Sequence, residues 1–308
     1  MKIKEIWTTE LKNGIFGGLI PLQDPFDKTK FYLSDGWGSA FPSMKLRKLS
    51  FENGKELNTA LIRNSVRCLY FNPDKQNIFA VSDNKIFQIN RTDLTTIKKF
   101  EKGIQKYSNF ISSNDTDSLL LTSGDFIFIY NYLEEKGIKK KLKSGRNIYK
   151  ESSNLFLIFC PKEGSIKQFD ISTKKSKEIL KTDLFFNSYK SKSEKIYLHL
   201  QRPAQTIQNT QETIAQINQI NIYSNFQLAV EIKFDFNFEN FVISETEEYI
   251  YITNKNQIWI YSLSKKQIIE QIKLNEKARI AQIFDEQQVF ISYEYDKPNI
   301  ITCWKFLW

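Results

Sequence analysis

The chain carries a single histidine, His199, in 308 residues. That scarcity excludes multi-histidine metal centres and leaves any Ser-His or Cys-His catalysis dependent on one imidazole. The three cysteines, Cys68, Cys160 and Cys303, are odd in number, far apart and set in apolar surroundings, so they form no disulfide framework and read as buried thiols. Glycine (11) and proline (7) are sparse, which excludes collagen-like and linker-like chains, and no apolar run approaches the roughly 18 residues of a membrane span. Residues 1–12 hold charges at Lys2, Lys4, Glu5 and Glu10 and no apolar centre, so they do not read as a secretory signal, and a cytoplasmic location is expected. Phosphate-loop, dinucleotide-binding and Gly-x-Ser-x-Gly patterns are missing, and Gly17-Gly18 is a pair without such a context. Asn114-Asp115-Thr116-Asp117 lacks the distal carboxylate of an EF-hand loop and reads as an Asx turn. No catalytic set, metal site or cofactor site is visible, so the expectation is a non-enzymatic protein without a cofactor; the rival is a hydrolase or lactonase.

What is present is ample core material, 41% hydrophobic residues of which aromatics supply a large share, and it recurs. Short apolar runs begin at Phe31, Ile78, Leu119, Leu155, Ile196, Ile250 and Val289, at intervals of 47, 41, 36, 41, 54 and 39 residues. A small polar turn such as Ser82-Asp83-Asn84-Lys85 follows, then a second alternating run such as Ile86-Phe87-Gln88-Ile89 or Ile258-Trp259-Ile260-Tyr261. β-Branched and aromatic enrichment with period-two alternation predicts β hairpins. Each is preceded by another apolar run (66–71, 241–244, 280–284) and followed by a more polar one (95–100, 176–180, 268–274). Four strands in about 40 residues are what a propeller blade requires.

The last unit ends at its third strand, 300–308, whereas the chain opens with an orphan strand, 5–11, of the outer type. The orphan is predicted to complete the blade formed by 278–308, closing the ring and removing its exposed edges. The expected fold class is all-β: a seven-bladed propeller of four-stranded antiparallel blades, one domain over residues 1–308. A double β-sandwich or a ring of six or eight blades fits the same pattern less economically. In period and pattern the chain resembles the WD40/YVTN-like seven-bladed β-propellers over essentially its whole length. It departs from them in signature: the Gly-His and Trp-Asp dipeptides are missing, and with one histidine the tetrad typical of WD40 blades cannot recur.

The resemblance implies that loops from second to third strand, and from each outer strand to the next inner one, share a face, here the top. The two longest intervals come from such second-to-third-strand loops, 37–43 and 201–219. The first offers Trp37 and Phe41 as apolar anchors, or as lids on their own blade. The second, where Ile207, Ile214 and Ile217 share a helical spacing, reads as an amphipathic helix, a loop or a long hairpin. Asn109, Asn147, Asn187 and Asn240 open inner strands, with Arg67, Lys106, Arg146 and Arg279 beside or equivalent to them; they read either as a ring of donors around the channel or as turn caps. The expected partner is a protein or an acidic peptide, the protein acting as a monomer or as a subunit of a hetero-complex.

Charge supplies the alternative. Residues 136–195 hold sixteen Lys or Arg against six acids, which accounts for the formal charge of +9 on the whole chain. Lys139, Lys140, Lys141, Lys143, Lys174, Lys175 and Lys177 are predicted on outer strands and bottom loops, a lateral patch for nucleic acid or another anionic surface, or simply a solvated face.

Overall fold

The computed structural model describes residues 2–15, 17–36, 44–83, 85–101, 110–142, 145–202, 205–206, 213–214 and 217–308. Trp37, Phe41, Lys106, Asn109 and Lys143 lie outside the described residues.

Seven four-stranded antiparallel sheets follow one another around a ring. Blade 1 runs Leu22–Gln23, Lys30–Ser34, Met44–Ser50, Glu56–Arg63, and blade 2 Cys68–Phe71, Asn77–Ser82, Lys85–Asn90, Thr96–Phe100. Blade 3 is Phe110–Ser113, Ser118–Ser123, Phe126–Asn131, Lys136–Lys141, and blade 4 Ile148–Lys150, Leu155–Cys160, Ser165–Asp170, Lys175–Lys181. Blade 5 is Asn187–Lys190, Ile196–Arg202, Ile217–Ser224, Gln227–Lys233, and blade 6 Asn240–Ile243, Tyr249–Asn254, Gln257–Ser262, Gln267–Lys273. Blade 7 takes Ala278–Phe284, Val289–Glu294 and Ile300–Leu307 from the end of the chain and its outer strand, Lys2–Glu10, from the beginning. That strand starts and ends earlier than the 5–11 expected, because its ladder runs from Lys2 opposite Leu307 to Glu10 opposite Ile300. Leu11 is past the ladder, although its N–H still reaches Asn299 O at 2.8 Å.

The apolar runs are continuous in the second strands because those strands are covered on both faces, where simple alternation would cover only one. In Leu155–Cys160, Phe156, Ile158 and Cys160 pack toward blade 3, whereas Leu157 and Phe159 pack toward blade 5. Each of the seven apolar clusters is made by two adjacent blades, and all seven interfaces are filled in this way. The closing interface depends on Trp7 of the first strand. Its indole stacks near Phe31 of blade 1 at 6.2 Å, and its Nε1 donates to Phe51 O at 2.7 Å, so one side chain spans the seam in both apolar and polar contact.

Above the seam, the Asp35 carboxylate is fully buried and accepts from Arg47 Nε at 2.7 Å, from Lys45 N at 2.9 Å and from Asn13 Nδ2 at 2.7 Å. Arg47 is itself buried and also pairs with Glu56. This network holds the connection that leaves the closing strand against the top of blade 1. Below, the buried Asp24 carboxylate receives Arg91 Nη1 of blade 2 at 2.7 Å and caps the turn at Phe26 and Asp27.

Removal of residues 1–12 is therefore expected to lower the melting temperature of the whole protein, since one blade loses its edge and the ring its closure. Trp7→Ala is expected to cost about 3–5 kcal/mol in equilibrium unfolding. An unchanged melting temperature in the truncated chain contradicts closure by this strand.

Candidate functional site at the channel mouth

Backbone bonds place the two sets of loops at one end of the ring. Gly36 N, in the second-to-third-strand loop of blade 1, donates to Gly14 O in the connection from blade 7 at 2.8 Å, and Phe185 N reaches Pro161 O at 3.3 Å between blades 5 and 4. Ile280 N donates to Lys255 O at 2.8 Å between blades 7 and 6. In blade 5 the second and third strands continue past their sheet as a short ladder, Gln205 opposite Ile214 and Thr206 opposite Thr213. Among the described residues of that insertion the pairing fits the long-hairpin reading, and Ile207 lies outside the described residues.

The residues expected around the channel divide into two groups. Asn187 and Asn240 are the first residues of their inner strands, and Asn147 immediately precedes its own. Their amides tie neighbouring blades together: Asn187 Nδ2 donates to Asn240 Oδ1 at 2.5 Å, and Asn147 Nδ2 donates to Ser188 O and Oγ, both at 2.9 Å. Asn187 and Asn240 also accept the N–H of the residue that follows each of them, at 3.0 and 2.9 Å. These side chains are thus occupied by the ring itself, combining the capping role with an inter-blade one that no local sequence signal announces. The cations differ. Arg67 pairs with Asp83 at 3.6 Å, Arg146 is exposed with no ion pair among the described residues, and Arg279 Nη1 bonds the carbonyls of Glu276 and Ala278, with its guanidinium 4.9 Å from the centre of the Tyr295 ring.

Beside Arg279 a pocket of about 370 Å³ opens at the channel mouth, lined by Ile15, Leu19, Ile20, Ile280, Ala281 and Tyr293 among others. Ile20, which lines it, is 58% exposed, and Tyr295, two residues beyond the lining Tyr293, is 61% exposed. Gly17 and Gly18 build this wall. Gly17 has a positive φ of 71°, and a Cβ on Gly18 would lie 2.4 Å from Ser34 O, so only glycine lets the connection lie against the end of the blade 1 strand. Of the pocket residues, Asn240 was expected at the channel mouth from the sequence, and the apolar ones were not. Their signal was a glycine-rich apolar stretch, residues 14–21, in a connection rather than a strand.

His199 lies just beneath this face in the second strand of blade 5. It is wholly buried, stacks on Phe238 at 3.8 Å and bonds Asn218 Oδ1 through Nε2 at 3.0 Å. Asn218 Nδ2 donates to Phe236 O, so its oxygen faces the ring and Nε2 carries the proton. Burial pulls the imidazole down to about 4 from 6.5, against the Asn218 bond that raises it. Such a ring is neutral at physiological pH and has the surroundings of a packing residue. Asn114 likewise acts locally, its Oδ1 closing a turn by accepting the N–H groups of Thr116, Asp117 and Ser118 at 3.1, 3.2 and 2.9 Å.

Of the expected basic patch, Lys139, Lys140 and Lys141 lie on the outer strand of blade 3, Lys175 and Lys177 on that of blade 4, and Lys174 in the turn before it; all are exposed. Of the three cysteines, Cys160 and Cys303 are buried, while Cys68 is only half-buried, because it opens an inner strand on the channel wall.

Seven radial four-stranded sheets around a channel, closed by the first strand, define a seven-bladed β-propeller. The β-propeller domain of Cps50 (Swd1) from Myceliophteria thermophila is similar to it over 97% of this chain and 99% of that domain, with a TM-score of 0.69 at 10% identity. Hydrazine synthase from Kuenenia stuttgartiensis is similar over 96% and 97%, with a TM-score of 0.65 at 11% identity. At these identities the likeness establishes the fold alone. No protein-family model matches the chain, and no curated protein matches it in sequence. Among the described residues no helix is long and apolar enough to cross a membrane.

The buried neutral His199 has a pH consequence. Between pH 6.5 and 4 the unfolded chain binds a proton that the folded chain refuses, so stability falls as pH is lowered through that window, by up to about 3 kcal/mol from this residue. His199→Gln is expected to be less stable at pH 7 but to lose less on acidification, measured by urea unfolding at pH 7 and pH 4. An identical pH dependence in both proteins contradicts the assignment.

Proposed function

We propose that the protein is a non-enzymatic interaction scaffold, one domain over residues 1–308, that holds a protein partner or an acidic peptide on its top face at the channel mouth. The observation that carries this reading is the apolar pocket between blades 6, 7 and 1 with the exposed Ile20 in its lining, and with the Arg279–Tyr295 pair close in sequence to its lining residues Ile280 and Tyr293. Concave apolar surface with a few polar groups at its edge is the form of a binding site, and aromatic and arginine side chains are the usual energetic centres of interfaces. Arg146 supplies a cation that no described acid neutralises, which favours an acidic segment in the partner. In this reading Trp37 and Phe41 are further apolar anchors from blade 1, and Arg67, Lys106 and the asparagines Asn109, Asn147, Asn187 and Asn240 shape the mouth.

The test is comparative and uses a partner captured from the native source. Trp37→Ala, Ile20→Asp and Arg279→Ala are each expected to weaken binding at least about tenfold, whereas Lys140→Ala leaves it nearly unchanged. The reverse ranking, or a complex in which the top face is empty, moves the function elsewhere on the propeller.

A further inference from the structure

Residues 136–195 carry a surplus of ten positive charges, against a balance near zero for the rest of the chain, and eight of their sixteen cations lie on the outer strands of blades 3 and 4 or in the turn before the latter. All six residues of Lys136–Lys141 are exposed. Among the described residues Lys139, Lys140, Lys141, Lys174, Lys175 and Lys177 have no ion-pair partner, and Lys139 lies 3.6 Å from the centre of the Phe126 ring. Of the acids on or beside these edges, Glu134 pairs with Lys136 at 3.6 Å and Glu135 with Lys98 at 2.8 Å, while Glu178 stands on the outer strand of blade 4.

Three features decide what such an edge suits. Strand alternation sends Lys140 to the side of Ile127, toward blade 4, and Lys139 and Lys141 to the side of Phe128 and Phe126, toward blade 2. The charge is therefore spread across a rim and not gathered into one groove that could track a polynucleotide strand. Second, Arg146 is the only arginine in residues 136–195, and none of the exposed aromatic side chains among the described residues lies on these two edges, so bidentate and stacking contacts to bases have no carrier. Third, the lysines have aliphatic company: Leu133, 71% exposed, Ile138, 41% exposed, and Ile97 on the neighbouring edge, 55% exposed. Between the two edges a cleft of about 700 Å³ has Ile129, Ile138 and Ile171 in its lining and Lys136 and Lys174 at its sides.

Lysines interspersed with exposed aliphatic side chains match the chemistry of an anionic bilayer surface, which attracts diffuse positive charge and accepts apolar side chains at the headgroup boundary. The geometry agrees. A flat surface meeting the rim of a disc touches neighbouring blades only, and the unpaired lysines named above lie on two adjacent ones. We propose that the edges of blades 3 and 4 dock the protein rim-on against an anionic lipid membrane, leaving the top face free for a partner.

Sedimentation with vesicles tests this. The full chain is expected to bind phosphatidylcholine vesicles containing 30% phosphatidylserine at low salt, to ignore pure phosphatidylcholine and to be released in high salt. Reversal to Glu at Lys139, Lys140, Lys141, Lys174 and Lys175 is expected to reduce partitioning at least about a hundredfold. The milder Lys→Gln set at the same positions, with an unchanged melting temperature, separates loss of charge from loss of fold. Lys265→Glu with Lys266→Glu on blade 6 is expected to leave binding intact. No binding of the native chain to the anionic vesicles, equal binding by the five-lysine variants, or retention of a single-stranded oligonucleotide without vesicle binding overturns the proposal.

Discussion

Every blade of this propeller needs two neighbours, because the apolar residues of its inner three strands point out of both faces of the sheet. Seven clusters, one per interface, meet that need only when the first and last blades touch. The constraint falls on a strand of nine residues, Lys2–Glu10, which must find its partner some 300 residues along the chain. Trp7 makes that pairing specific, since a slip of one residue would turn its ring away from Phe31 and Phe51.

Polar side chains reinforce the same interfaces in the absence of a repeated histidine-containing tetrad. Near the bottom, tyrosine hydroxyls reach carboxylates in the next blade: Tyr70 to Asp115, Tyr197 to Glu247 at 3.2 Å, and Tyr251 to Asp285. Glu247 is held at about 2, burial opposing the shift while Lys195, Ser193 and Ser191 favour its charged form. At the top the asparagine amides do similar work between blades 4, 5 and 6. Different residue types thus recur at equivalent places because the ring demands inter-blade bonds there, whichever side chain supplies them.

This economy shapes where function can reside. Side chains used to join blades have little capacity left for a ligand, whereas Ile15 and residues 17–21 of the connection into blade 1 are not part of any sheet and turn apolar surface toward the channel. The rim is free for the opposite reason: an outer strand has one edge without a partner, so its side chains and spare backbone groups face solvent. Lysine on such an edge also hinders pairing with another chain, and the basic strands of blades 3 and 4 serve that purpose whatever else they contact.

The period of the apolar runs and the orphan first strand pointed to seven blades and their closure, because two-sided burial writes itself into consecutive residues such as Leu119-Leu120-Leu121. The lysine surplus on blades 3 and 4 was equally legible, since charge survives as a count along the chain. The tertiary structure alone decided the partners: that Asn187 meets Asn240, that Asp35 gathers Asn13, Lys45 and Arg47, and that Ile15, Leu19 and Ile20 stand beside Ile280 and Tyr293. Those contacts join residues up to 278 positions apart, as between Ile15 and Tyr293, and no local periodicity records them. They arise only when the closed ring brings the ends of separate strands to one mouth.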